Sequence, residues 1–113
     1  MRYVILIYES EANPQPSDEE MSRWFGVTEE MQKAGVMVAG EALHPTSSAT
    51  TVRVRDGKTL TTDGPFAETK EQLGGFYLLD CKDLDEALSW AAKMPNVVRG
   101  AMEVRPVMDF SAS

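Results

Sequence analysis

Tyr3-Val4-Ile5-Leu6-Ile7-Tyr8 decides how this chain folds. Six apolar or aromatic residues in unbroken succession, rich in β-branched side chains, predict a strand buried on both faces rather than one that alternates between core and water. Phe76-Tyr77-Leu78-Leu79-Asp80-Cys81 has the same character and predicts a second such strand. The chain has only 113 residues with which to cover them. A monomer of this length hides roughly two thirds of the surface its unfolded chain exposes, enough for one core and little more. Any sizeable ligand site is therefore expected to borrow from a second subunit.

Outward from the first strand, Ser17-Asp18-Glu19-Glu20 reads as a capping box. Ser17 accepts from the third helical amide, Glu20 reaches back, and the acidic first turn suits the helix dipole. Met21, Trp24, Phe25, Thr28 and Met31 follow at spacings of three and four as one stripe, Gly26 is a minor flaw, and Gly35 is a natural stop. Residues 36–39 predict a short strand, and residues 40–48 a polar connection in which Pro45 biases His44 toward an extended backbone. Thr50-Thr51-Val52-Arg53-Val54-Arg55, Asp56-Gly57 and Lys58-Thr59-Leu60-Thr61 predict a hairpin, because Asp-Gly supplies the positive φ of a type I′ turn.

A second turn at Asp63-Gly64-Pro65-Phe66 leads into one predicted helical turn over residues 67–72, closed by Gly74-Gly75. Asp83-Leu84-Asp85-Glu86 repeats the capping pattern ahead of Leu84, Ala87, Leu88, Ala91 and Met94 on one helical face, which Pro95 and Asn96 end. Residues 100–108 predict a last strand, with Met102 and Val104 alternating with Glu103 and Arg105, and residues 109–113 a frayed tail.

With the hairpin set aside, strand-helix-strand occurs twice, which is the split βαβ arrangement of a ferredoxin-like α+β fold in a single domain spanning residues 1–113. Both helices then cover one sheet face. The other face would offer Leu, Ile and aromatic side chains to water, so a symmetric homodimer with sheet facing sheet is expected.

Composition excludes several partners. Eleven basic against eighteen acidic residues leave a net charge of −7, which repels a phosphate backbone and an anionic membrane surface. Arg53, Arg55 and Lys58 form at most a small basic rim. Cys81 is the only cysteine, and the apolar opening is too short for a signal peptide or a membrane span, so a cytoplasmic location is expected. One His and one distant Cys cannot build a structural zinc site, while carboxylate-only magnesium or calcium sites stay open. Gly74-Gly75 lacks a dinucleotide-binding context and no P-loop occurs, so no cofactor is expected. At the end of an apolar strand Cys81 reads as packed rather than nucleophilic.

Thr62-Asp63-Gly64-Pro65-Phe66-Ala67-Glu68-Thr69-Lys70-Glu71-Gln72-Leu73-Gly74-Gly75-Phe76 resembles the signature of the DGPF proteins, a branch of the YCII-related family. The resemblance extends through Gly40-Glu41-Ala42-Leu43, Thr51-Val52-Arg53, Glu86-Ala87 and Glu103-Val104-Arg105-Pro106-Val107, and so covers nearly the whole chain. It implies a dimeric α+β barrel of ferredoxin-like protomers, in a branch whose members often lie beside, or are fused to, extracytoplasmic-function sigma factors. Activity in this branch is not established. The wider family includes proteins proposed to use a His-Asp pair, with the His on the first helix and the Asp just after the second. Here Trp24 and Phe25 occupy a first helix without His, and the second is followed by Met94-Pro95-Asn96 without a carboxylate, so that dyad does not carry over.

Two residues stand out as chemistry. His44, the only histidine, is the one side chain whose ordinary pKa suits proton transfer near neutrality, and its bland reading is a solvated loop residue beside Pro45. Asp63 is either an Asx-type turn residue or a carboxylate acting as base or substrate anchor. Both flank the hairpin, which allows them to meet at one end of a barrel. Glu41, Phe66 and Lys70 are candidate substrate contacts; the charges of Glu68, Lys70 and Glu71 equally suit a solvated face, and Glu103 with Arg105 suits a cross-strand pair. The leading expectation is a cofactor-independent proton-transfer enzyme, of lyase or isomerase type, acting on a small polar or aromatic metabolite, with Asp63 as base or anchor and His44 as acid. The competing expectation is a non-catalytic small-molecule-binding or regulatory module linked to a sigma-factor system.

Overall fold

Strand β1 (Arg2–Glu9) lies inside a four-stranded antiparallel sheet, where its apolar side chains find neighbours on both edges. The computed structural model describes residues 1–111. After β1 come helix α1 (Asp18–Lys33), β2 (Met37–Ala42), a single 3-10 turn (Thr46–Ser48), β3 (Thr50–Arg55) and β4 (Lys58–Asp63). Strand β5 (Gln72–Asp80), helix α2 (Leu84–Ala91) and β6 (Ala101–Pro106) complete the order. The sheet runs β2-β5-β1-β6, and β3-β4 is a separate two-stranded ribbon. The result is an α+β arrangement compatible with the ferredoxin-like fold.

Register sorts the side chains by face. Tyr3, Ile5 and Ile7 stand opposite Leu79, Tyr77 and Gly75 of β5 and opposite Pro106, Val104 and Met102 of β6. These three β1 residues and Leu79 are buried beneath Met31 and Val36 at the α1 end and Ala87, Ala91 and Met94 at the α2 end. Ile5 and Leu79 are fully enclosed, each contributing about 2–3 kcal/mol of transfer free energy. Val4, Leu6 and Tyr8, opposite Leu78, Phe76 and Leu73, point the other way and are only half-buried. In one chain the sheet is thus covered on one face.

Ser17 caps α1, its Oγ accepting from the Glu20 amide at 3.1 Å. The reciprocal half of the predicted capping box is not made, because the Glu20 carboxylate turns to a partner distant in sequence. Gly35, at φ +73°, ends the helix in a Schellman motif: Val36 N–H donates to Met31 O and Gly35 N–H to Gln32 O. The predicted stripe is rotated relative to the core. Val27, Met31 and Glu20 are buried, while Met21 is exposed and Phe25 is 69% exposed. Periodicity marks an apolar stripe without saying what it faces.

Strands run where the sequence predicts two loops. β2 continues through Gly40-Glu41-Ala42, residues expected in the polar connection, because pairing with β5 outweighs local composition. Residues 67–71 form no helical turn, and Gly74-Gly75 lie inside β5, where Glu9 opposite Gln72 and Tyr8 opposite Leu73 extend the ladder past a bulge. On α2, Asp83 caps as expected and Ala87, Ala91 and Met94 are buried, whereas Leu84 and Leu88 are exposed. Of the tail, Phe110 is exposed and residues 112–113 lie outside the described ones.

The Asp56-Gly57 turn has φ of 52° and 73°, and the ribbon registers Arg55 opposite Lys58. Almost all of it is exposed. It helps explain a Cα radius of gyration of 16.2 Å, against about 13 Å for a compact chain of this length. The molecule measures 47 × 46 × 18 Å, a slab two layers thick.

Candidate functional site

Small residues at the β2 end of the sheet leave a groove of about 540 Å³ between the sheet and the first half of α1. Gly40, Ala42 and Gly75 share the helix-facing side and provide its floor with Ile7 and Tyr77. Gly75 is required there, since a Cβ would sit 2.8 Å from the Glu41 carbonyl oxygen. The wall is Met21, Trp24, Phe25 and Thr28, the part of the apolar stripe that misses the core. Thr28 donates to Trp24 O at 2.9 Å, so its contact with the Tyr77 hydroxyl at 2.7 Å is one in which Tyr77 donates. That bond pins floor to wall.

At one end the groove meets a charged network. Arg99 Nε donates to Glu9 Oε2 at 2.7 Å, and an Arg99 terminal nitrogen donates to both oxygens of Glu20 at 2.7 Å. Asn96 Nδ2 donates to Glu9 Oε1 at 2.8 Å, Asn13 Nδ2 to Glu9 Oε2 at 3.1 Å, and Trp24 Nε1 to Glu20 Oε2 at 3.3 Å. Burial alone raises the Glu9 pKa, but the hydrogen bonds from Arg99, Asn96 and Asn13 outweigh it and hold the carboxyl below its ordinary range. For Glu20 the Arg99 hydrogen bonds dominate over burial and the pKa is likewise lowered. Both side chains are carboxylates at neutral pH. Asn96 is 4% exposed, and its Oδ1 has no partner among the described residues.

Glu9, Glu20 and Asn96 line the groove, and Arg99 does not. The cation therefore sits behind the carboxylates. On the rim, Glu11 is held by the Thr46 amide at 2.8 Å and the Thr46 hydroxyl at 2.6 Å, tying the β1–α1 connection to the segment after β2. Among the described residues no group of three or more His, Cys, Asp and Glu side chains is arranged to hold a metal ion, and no helix is long and apolar enough to cross a membrane. Cys81 is buried, and desolvation first, then Glu86 and Asp80, raises its thiol pKa, which makes it a poor nucleophile.

The expected site residues are divided by the structure. His44 lines the groove just past the end of β2, and Glu41 borders it with its backbone while standing in register with Phe76 and Leu6 on the opposite sheet face. Asp63 ends β4 opposite Thr50, is exposed, and lies outside that lining. No hydrogen bond joins His44 to Asp63 among the described residues. Phe66 is 77% exposed, its carbonyl accepting from Arg53 at 3.2 Å, and Lys70 is exposed too. Their neighbours Pro65, Ala67, Glu68 and Thr69 border a smaller cavity of about 280 Å³ that neither lines.

Glu9 and Arg99 carry no local sequence signal of a site, Asn96 reads as a helix end, and Glu20 reads as a helix cap. Nothing local distinguishes them: Glu20 and Arg99 are 79 positions apart, and only the sheet order joins them. Trp24 and Asn96, named above where the chain departs from the His-Asp pair, both bond to this network.

The model of the YCII-related domain matches residues 1–111. An uncharacterized protein of Rhizobium meliloti (strain 1021) is 43% identical over 114 residues, covering 95% of this chain and 92% of that protein.

Proposed function

This chain belongs to the YCII-related family, and from that premise we propose that it binds a small, largely apolar molecule in the groove between α1 and the β2 end of the sheet. The observation that carries this is a cavity of about 540 Å³ with Trp24, Phe25 and Met21 along one side and a hydrogen-bonded carboxylate network at one end. Size and makeup match small-molecule sites, in which apolar walls supply affinity and a few polar groups fix orientation. Ala42 is exposed on the floor, so Ala42→Trp fills the groove without cutting into the core. Thermal-shift screening of small aromatic metabolites is expected to find ligands that stabilise the native chain and leave the Ala42→Trp variant unmoved. A hit that stabilises both chains equally places binding elsewhere.

A second reading, proton-transfer catalysis, is favoured by one observation: His44 lies on the groove's rim. Asp63 then has to reach the groove by another route, and a second copy supplies one. We propose a homodimer through the half-buried face of Val4, Leu6, Phe76 and Leu78, with the ribbon reaching across. Turnover of a groove ligand that is lost in His44→Gln and Asp63→Asn, with folding preserved, is the expected signature. Unchanged turnover in both variants removes the pair from the mechanism.

A further inference from the structure

We propose that the groove selects a positively charged ligand, a small ammonium carried on an aromatic or alkyl body; this rests on the groove being a ligand site. Three carboxylates line it, those of Glu9, Glu11 and Glu20, and no lysine or arginine does. Arg99 neutralises one of the two charges at the network end, but from behind, so the charge facing the groove is negative.

The hydrogen-bond inventory points the same way. A carboxylate has about four acceptor sites. Glu9 uses three, on Arg99, Asn13 and Asn96, and Glu20 uses three, two on Arg99 and one on Trp24. Each keeps one. Asn96 Oδ1 is buried and unpartnered, and its orientation is settled because Nδ2 donates to Glu9. An ammonium has three donors and no acceptor, so it complements the remaining acceptor sites of Glu9 and Glu20, where a carboxylate or phosphate ligand would meet repulsion. The aromatic groups Trp24, Phe25 and Tyr77 add faces that attract a cation and pack an apolar body.

The test compares three probes of one shape, 2-phenylethylamine, 2-phenylethanol and 3-phenylpropionate, by calorimetry and ligand-observed NMR at pH 7. The amine is expected to bind at least about tenfold more tightly than the alcohol, as a charge-assisted hydrogen bond allows, and the carboxylate to bind more weakly than either. Glu20→Gln keeps the shape and removes a charge, and it is expected to weaken the amine about tenfold while sparing the alcohol. Where that variant folds poorly, a salt titration of the native protein substitutes, amine affinity falling with ionic strength and alcohol affinity staying level.

An alcohol or carboxylate that binds as tightly as the amine, and is displaced by Ala42→Trp, overturns the charge selection and leaves the groove reading intact. Amine binding indifferent to both Glu20→Gln and salt also overturns it. Failure of all three probes to bind at millimolar concentration overturns the groove reading together with this one.

Discussion

Arg99 holds two carboxylates with one guanidinium, and at that scale the fold closes on a single side chain. Its fork reaches Glu9 through Nε and Glu20 through a terminal nitrogen, a geometry that a lysine's single ammonium cannot reproduce. Arg99→Met is expected to cost roughly 2 kcal/mol by urea denaturation, less than a fully buried pair would lose because a third of the Arg99 side chain is exposed. Arg99→Lys should recover only part of that loss. The pH dependence follows from the same contacts. Glu9 and Glu20 have folded pKa values below the ordinary 4.5, so their stabilisation is complete above that value and disappears as pH falls through the depressed folded values. Removing Arg99 releases much of that depression, so the variant should lose less stability than the native chain between pH 7 and pH 3. A variant with the same acid sensitivity as the native chain would show that Arg99 does not set it. None of this was legible beforehand: Glu20 was accounted for by Ser17, and the cap's amide half is indeed made.

Elements differ in how far their own sequence determines them. The β3-β4 ribbon is local, with Asp56-Gly57 specifying the turn and the alternating Thr, Val and Arg residues specifying strands, and it forms as read. Yet two strands alone are marginal in water, and Val52, Val54 and Leu60 are exposed along it. Gly57→Ala, at φ +73°, should therefore speed amide exchange in the ribbon while shifting the global urea midpoint by no more than about 0.5 kcal/mol. Gly35→Ala has the same φ at the end of a packed helix, and there the cost should appear globally, at about 1 kcal/mol. Equal global effects of the two would contradict a loosely held ribbon. Helix α1 shows where local reading stops. Its stripe is visible in the sequence, but its rotation is not, because the neighbour that decides which residues are buried is a sheet assembled from four distant segments.

Across the whole molecule, two helices pack on one sheet face, and among the described residues no helix packs on the other. Half-buried Val4, Leu6, Phe76 and Leu78 make a surface that a second copy would cover. Sedimentation is expected to give a dimer at micromolar concentration and a monomer for Leu6→Glu, which places a charge in the centre of the joint. A native chain that sediments as a monomer ends that proposal, and with it the route by which Asp63 reaches the groove, while ligand binding in the groove, on the opposite sheet face, stands. The sequence by itself determined the elements with local causes: the Ser17 and Asp83 caps, the Gly35 stop, the type I′ hairpin, and the strands apolar on both faces. Those depend on backbone sterics and side-chain period, which neighbours in the chain suffice to express. Only the tertiary structure decided that β2 and β5 run through the expected loops, that the α1 stripe borders a groove, and that Glu9, Glu20, Asn96 and Arg99 meet at its end. Such outcomes depend on which surfaces the strand order brings together across as many as 90 positions, and no local pattern encodes that distance.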